Sequence, residues 1–240
     1  MQAEHPEATT GARTFPLAGI TIVDLSRVVA GPYCTMMLAD LGAMVIKIEH
    51  PSDPDYVRDF PPHVEGGSAY FAQYNRHKLG ASLDLKHSEG KALLLEMVRK
   101  ADILVENFRP GTMDRLGLGW PILQAANPRL IYTAVSGFGH SGPNAPRPSY
   151  DSTAQAAGGL WSMNGYPGQP PVRVGSIIGD LAASFYATIG TLAALREVER
   201  SGLGQMVDIS QQDSVVTLTE SAIVNYTVQG SVAEPLGSAH

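Results

Sequence analysis

Asp180 closes the run Gly175-Ser-Ile-Ile-Gly-Asp180 and opens the nearly uncharged stretch Leu181-Ala-Ala-Ser-Phe-Tyr-Ala-Thr-Ile-Gly-Thr-Leu-Ala-Ala-Leu195. At the start of a helix, free backbone N–H groups and the positive end of the helix dipole hold a carboxylate in its ionised form. In that form it could attack a carbonyl carbon and make a covalent intermediate. Aspartate is also a leading N-cap residue, so the pattern by itself leaves both roles open. A second candidate is the turn Ser26-Arg-Val-Val-Ala-Gly-Pro32, which lies between a strand and a helix. Turns at the carboxyl ends of strands in α/β sheets bind phosphorylated ligands, and Arg27 adds charge there. A plain connection with an exposed arginine fits the same residues.

Other matches fail on their surroundings. Gly137-Phe-Gly139-His-Ser-Gly142 has the spelling of a dinucleotide-binding loop, but Pro143, Pro146 and Pro148 follow at once and forbid the helix that must receive the pyrophosphate. The residues read as a glycine-proline loop, and no NAD site is expected. The chain has no zinc-protease helix motif, no P-loop and no serine-hydrolase elbow, and its 7 histidines lack ligand spacing, so no metal is expected either.

The elements that must position these residues alternate in type. Gly19–Asp24 and Met44–Glu49 read as strands around a helix over Gly31–Leu41, which is one βαβ unit. Residues 50–68 are rich in proline, glycine and charge, and are expected to form a loop over a site. A helix from Ser88, as N-cap, to Lys100 precedes a strand over Asp102–Phe108, and a helix over 120–126 precedes a strand over Arg129–Val135. Beyond a loop over 137–150, helices over 152–162 and Asp180–Arg200, a strand over Met206–Ser210 and a last helix complete the pattern. Strands alternating with helices imply an α/β fold with a doubly wound, mostly parallel, Rossmann-like sheet. The polar residues 1–15 read as a flexible leader, 16–230 as the folded domain and 231–240 as a tail.

Composition narrows the partners. With 17 basic against 23 acidic residues the net charge is −6, and no basic run exists to follow a nucleic-acid backbone. No nucleic acid is expected, nor a membrane, because no apolar run reaches the ~20 residues of a bilayer span. The single Cys34 excludes an internal disulfide framework and is expected to pack in the core, in keeping with a reducing, cytoplasmic location.

With these blocks in view, the chain resembles the class III CoA-transferases, the CaiB/BaiF-type family of formyl-CoA transferase, the carnitine CoA-transferases and the α-methylacyl-CoA racemases. The resemblance runs from Pro16 to Thr227 through Val23-Asp-Leu-Ser-Arg-Val-Val-Ala-Gly-Pro32, Leu38-Ala-Asp-Leu-Gly-Ala-Met-Val-Ile-Lys-Ile-Glu49, Leu83-Asp-Leu-Lys86, Val105-Glu-Asn-Phe-Arg-Pro-Gly111 and Gly179-Asp180. It implies coenzyme A, as acyl-CoA, against Arg27, Val28, Ala30, Leu83, Lys86, Asn107, Phe108 and Arg115. It also implies Asp180 as nucleophile, Val29 and Tyr150 against the acyl group and substrate carboxylate, a carboxylic acid as acceptor, and an interlocked homodimer. Val29 stands where the formyl-CoA transferase pattern has glutamine, and His50 where it has arginine, which argues against formate or oxalate. Family members are longer, with a second domain and a glycine-rich closing loop, so the chain reads as an N-terminal portion that is poorly active alone. Racemases of the family carry histidine where this chain has Tyr150, just before Asp151. Abstraction of an α-proton suits imidazole, at about 6.5, and not a phenol, at about 10. A racemase and a non-catalytic CoA-binding or dimerisation fragment remain the alternatives.

Overall fold

Residues 15–238 are described in a computed structural model of the chain, and the leader expected over 1–15 lies outside them except for Phe15. Short β-branched runs make the central strands. β1 (Thr21–Asp24), α1 (Ala30–Asp40) and β2 (Met44–Glu49) form the first βαβ unit, close to the spans expected from sequence. The following loop contains one turn of 3₁₀ helix (Tyr56–Asp59) and a small hairpin, β3 (His63–Val64) with β4 (Gly67–Ser68). It leads into α2 (Ala69–Asn75) and β5 (Lys78–Ser82), neither of which was expected. Next come α3 (Ser88–Val98), β6 (Ile103–Glu106), α4 (Thr112–Arg115), α5 (Trp120–Ala126) and β7 (Ile131–Ser136). The last part holds α6 (Asp151–Ala157), α7 (Leu160–Met163), α8 (Ile178–Ser201), β8 (Met206–Ser210), α9 (Gln211–Val216) and α10 (Ala222–Gln229).

The main sheet has the order β5-β2-β1-β6-β7-β8, with every neighbouring pair parallel. Strand alternation feeds two cores. Ile22, Ile103, Val105 and Ile131 face α1 and α8 and meet Cys34, Leu38, Ala183 and Ala187. Val23, Leu104 and Tyr132 point the other way, onto Leu94, Val98 and Leu123 of α3 and α5. Each fully buried leucine contributes about 1.5–3 kcal/mol relative to exposure. From β1 the chain builds outward through β2 and β5, then returns to place β6, β7 and β8 on the opposite side. The order therefore reverses between β1 and β6, and a crevice opens at their carboxyl ends.

Several local expectations change. His87, not Ser88, caps α3, its Nδ1 accepting the Glu89 N–H at 3.3 Å. The helix expected over 152–162 breaks at Gly158-Gly159, where Gly159 has φ +86°. α8 starts at Ile178, so Asp180 is its third residue and not its cap. By length and composition α8 could cross a membrane, with 24 residues and an 18-residue window of mean hydropathy 1.4, contrary to the expectation that no run would qualify. In the fold it packs Ala183, Ala187 and Ala194 into the core and leaves Phe185 and Ile189 exposed.

Candidate active site at the reversal of the sheet

Two adjoining clefts occupy the crevice. The larger, of about 330 Å³, is lined by Val28, Val29, Ala30, Asn107, Tyr150, Asp180 and Gln211 among others. Its neighbour, of about 230 Å³, has Leu83 and Lys86 in its wall, with Leu25, His50 and Asp55. Arg27 and Phe108 line both. Arg115 lines neither; its guanidinium donates to Thr112 Oγ1 at 2.8 Å, and Thr112 stands in the wall of the smaller cleft. The loop expected over 50–68 does border the site, with Asp53 and Asp55 in one cleft and Tyr56 in the other.

The turn after β1 is held in a shape that its own residues disfavour. Val28 has φ +69°, a left-handed conformation that is costly for a β-branched residue. Its N–H donates to the Asp55 carboxylate at 3.1 Å. Asn107, just past β6, accepts the Arg27 N–H at 2.8 Å and donates to the Arg27 carbonyl at 2.7 Å. Below the turn, Lys47 donates to the Ser26 carbonyl at 2.8 Å and to Asp55 at 3.1 Å. Asp24 receives Lys78 at 3.0 Å, Thr35 Oγ1 at 2.7 Å and the Ser26 N–H at 2.9 Å. Burial opposes the charge on Asp24, yet Lys78, Lys47 and the two hydroxyls outweigh it and hold the carboxyl at about 2. Gly31 is required here because a Cβ would stand 2.3 Å from Ser26 Cβ. The Arg27 guanidinium projects outward to Asp53 at 3.2 Å and the Pro54 carbonyl at 2.6 Å.

Asp180 approaches from the opposite wall and is half-buried. Its Oδ1 accepts an N–H of Gln211, the first residue of α9. Sequence reasoning expected a carboxylate kept ionised by the helix start, and the structure corrects this. Burial, then the Asp151 carboxylate, push Asp180 up to about 7, against the opposing Gln211 hydrogen bond. Asp151 is itself buried, accepting the Gly179 N–H at 2.8 Å and a Gln155 N–H at 2.8 Å. Ser184 ties α8 to the first turn, its hydroxyl lying 2.8 Å from the Ala30 carbonyl. Tyr150 is exposed beside Tyr56, and burial together with the Tyr150 phenol pushes the Tyr56 hydroxyl up to about 12. The loop carrying Tyr150 closes at its base, where a Cβ on Gly137 would meet Ser149 Cβ at 2.1 Å.

Sequence reasoning missed Gln211, Asp55, Tyr56 and Ser184 as parts of the site. Gln211 and Ser184 carried no local signal; Asp55 and Tyr56 lay in the loop already read as a cover. Among the described residues, no group of three His, Cys, Asp or Glu side chains is placed to hold a metal ion.

Related proteins share this arrangement of chain. An acetyl-CoA:oxalate CoA-transferase from Acetobacter aceti is 41% identical over 235 residues, which cover 98% of this chain and 60% of that one. A succinyl-CoA–D-citramalate CoA-transferase from Chloroflexus aurantiacus is 41% identical over 224 residues, covering 93% and 56%. Among solved structures, a CaiB/BaiF family protein from Brucella suis superposes with a TM-score of 0.90 at 37% identity, over 95% of this chain and 61% of the other. The chain thus spans about 60% of the length of such relatives. With residues 17–240 matching the family model for CoA-transferase family III, the chain belongs to that family.

Proposed function

We propose that the protein transfers coenzyme A from an acyl-CoA thioester to a carboxylic acid, with Asp180 as the covalent nucleophile. The observation that carries this reading is a half-buried carboxylate, pushed up to about 7, in the wall of a cleft at the reversal point of a parallel sheet. The reaction runs by four exchanges. An Asp180 oxygen attacks the thioester carbonyl carbon and expels the CoA thiolate, leaving a mixed anhydride. The thiolate then attacks the aspartyl carbonyl, which releases the donor acid and leaves an aspartyl-CoA thioester. The acceptor carboxylate attacks that thioester, giving a new anhydride and the thiolate again. Attack of the thiolate on the acceptor's acyl carbon forms the new thioester and restores Asp180.

The chain's residues suit these roles. Leu25, Ile48 and Leu83 give the smaller cleft an apolar floor for a nucleotide base, and Lys86 and Arg27 supply charge for its phosphates. The exposed pair of Arg27 with Asp53 is worth little in water, so exchanging it for a phosphate costs little. Val28, Ala30, Asn107 and Phe108 complete the CoA contacts, Arg115 acts from behind Thr112 in the wall of the smaller cleft, and Val29 and Tyr150 stand toward the acyl group and acceptor carboxylate. Gln211, which already donates to Asp180, is placed to donate to oxyanions formed on it. The protein acts in the cytoplasm as a homodimer, without metal or NAD.

The test is incubation with acyl-CoA esters and free acids, with mass detection of new thioesters and hydroxylamine trapping on Asp180. Transfer and trapping are expected in the native protein and absent in Asp180→Ala. Near-native transfer by Asp180→Ala or Asp180→Asn would overturn the assignment.

A further inference from the structure

β6 ends at Glu106, whose side chain is 1% exposed between β1 and β7. A carboxylate at that depth costs free energy that an apolar side chain would not. Both its oxygens are engaged. Oε2 accepts the Phe108 N–H at 2.6 Å, and Oε1 accepts the Tyr132 hydroxyl at 2.8 Å. Other titratable groups face it: Asp114 from α4, Asp208 from β8, and His140, whose Nε2 lies 3.8 Å from Oε1. Burial, opposed by the two hydrogen bonds and aided by Asp208 and Asp114, pushes the carboxyl up to about 7.

The Phe108 N–H belongs to the turn that separates the two clefts. Phe108 lines both, and its neighbour Asn107 grips both backbone polar groups of Arg27. The bonds therefore form one path from Tyr132 through Glu106 to Phe108, and the Asn107 clamp joins it to Arg27. Glu106 itself lines a separate cavity of about 180 Å³ that shares only Arg109 with the Asp180 cleft, so it does not touch the reacting atoms.

We infer that Glu106 is a positioning residue for coenzyme A: anchored by the Tyr132 hydroxyl, it fixes the Asn107-Phe108 turn on which both clefts and the Arg27 backbone depend. This rests on the CoA reading given above. Glutamine at 106 matches the shape and can keep both partners, its oxygen accepting the Phe108 N–H and its NH₂ donating to the Tyr132 hydroxyl oxygen, but it removes the charge that strengthens both bonds.

Calorimetric titration of the chain with free coenzyme A, at mildly alkaline pH where the carboxyl is ionised, tests it. Glu106→Gln is expected to keep cooperative melting while raising Kd about tenfold, through the lost charge assistance of the two hydrogen bonds that hold the turn. In ¹⁵N-labelled protein its Phe108 amide proton should move upfield and exchange faster. Tyr132→Phe, which removes only the anchoring hydroxyl, should raise Kd about threefold. Unchanged Kd in a folded Glu106→Gln protein, or in Tyr132→Phe where the first variant does not fold, overturns the inference. Native chain that fails to bind coenzyme A overturns the CoA reading itself, and with it this one.

Discussion

Asp151 caps the helix that carries Asp180: its Oδ1 accepts the Gly179 N–H at 2.8 Å, across 28 residues of sequence. Burial raises the Asp180 pKa most, and the same carboxylate adds to the rise by repulsion. One residue therefore stabilises the start of α8 and, with burial, influences when Asp180 is ionised. Asp151→Ala is expected to cost about 1–2 kcal/mol through the lost cap, read as a lower denaturation midpoint. Asp151→Asn keeps an acceptor for Gly179 but turns its NH₂ toward the Gln155 donor. In a folded Asp151→Asn protein the acid limb of the pH-rate profile should move to lower pH, because the repelling charge is gone.

A buried carboxyl raised to about 7 also sets the pH dependence of stability. Between the ordinary carboxylate range and about 7, the folded chain holds a proton on Asp180 that the unfolded chain has released. Stability from this group therefore falls as pH rises through that window and levels off above it. Asp180→Asn removes the ionisation, so it should raise the melting temperature at alkaline pH and change it little at acid pH. Melting curves of both proteins across pH check this, and a uniform difference at every pH would count against it.

The turn after β1 has no room for another methyl group. In Gly31→Ala the new Cβ meets Ser26, whose N–H is already fixed on buried Asp24. Overpacking of this kind costs about 1–3 kcal/mol, which for a chain of this size lowers the melting temperature by about 2–4 °C per kcal/mol. CoA affinity should fall as well, because the displaced atoms carry the Arg27 backbone. A thermal melt and a CoA titration on the same sample report both effects.

The sequence disclosed what is local and hid what is assembled. β2 was readable to the residue, because Met44-Val-Ile-Lys-Ile-Glu49 is a strand former, and the ligand turn because strand, turn and helix are contiguous. β5 was missed since it is an edge strand with Gly80 at its centre and Leu79 exposed, leaving no apolar alternation to detect. α2 did carry a signal in Ser68, whose hydroxyl accepts the Phe71 N–H at 3.0 Å, but the preceding proline-glycine segment masked it. The protonation of Asp180 was out of reach, because Asp151 and Gln211 meet it only through tertiary folding.

The last expectation separates transfer from racemisation. Inverting a 2-methylacyl-CoA requires a base that removes the α-proton and an acid that returns one on the other face. Among the described residues, no histidine lines the cleft that holds Asp180; His50 belongs to the smaller cleft and His140 to the cavity behind Glu106. Tyr150 stands in the wall where a second proton-transfer group is needed. Its side chain is exposed, and among the described residues no carboxylate or imidazole is hydrogen-bonded to it. Incubation with a 2-methylacyl-CoA in deuterium oxide should therefore leave the α-hydrogen in place, while CoA passes to an added acid. Enzyme-dependent α-exchange without such transfer would show that the Asp180 cleft moves protons and not coenzyme A.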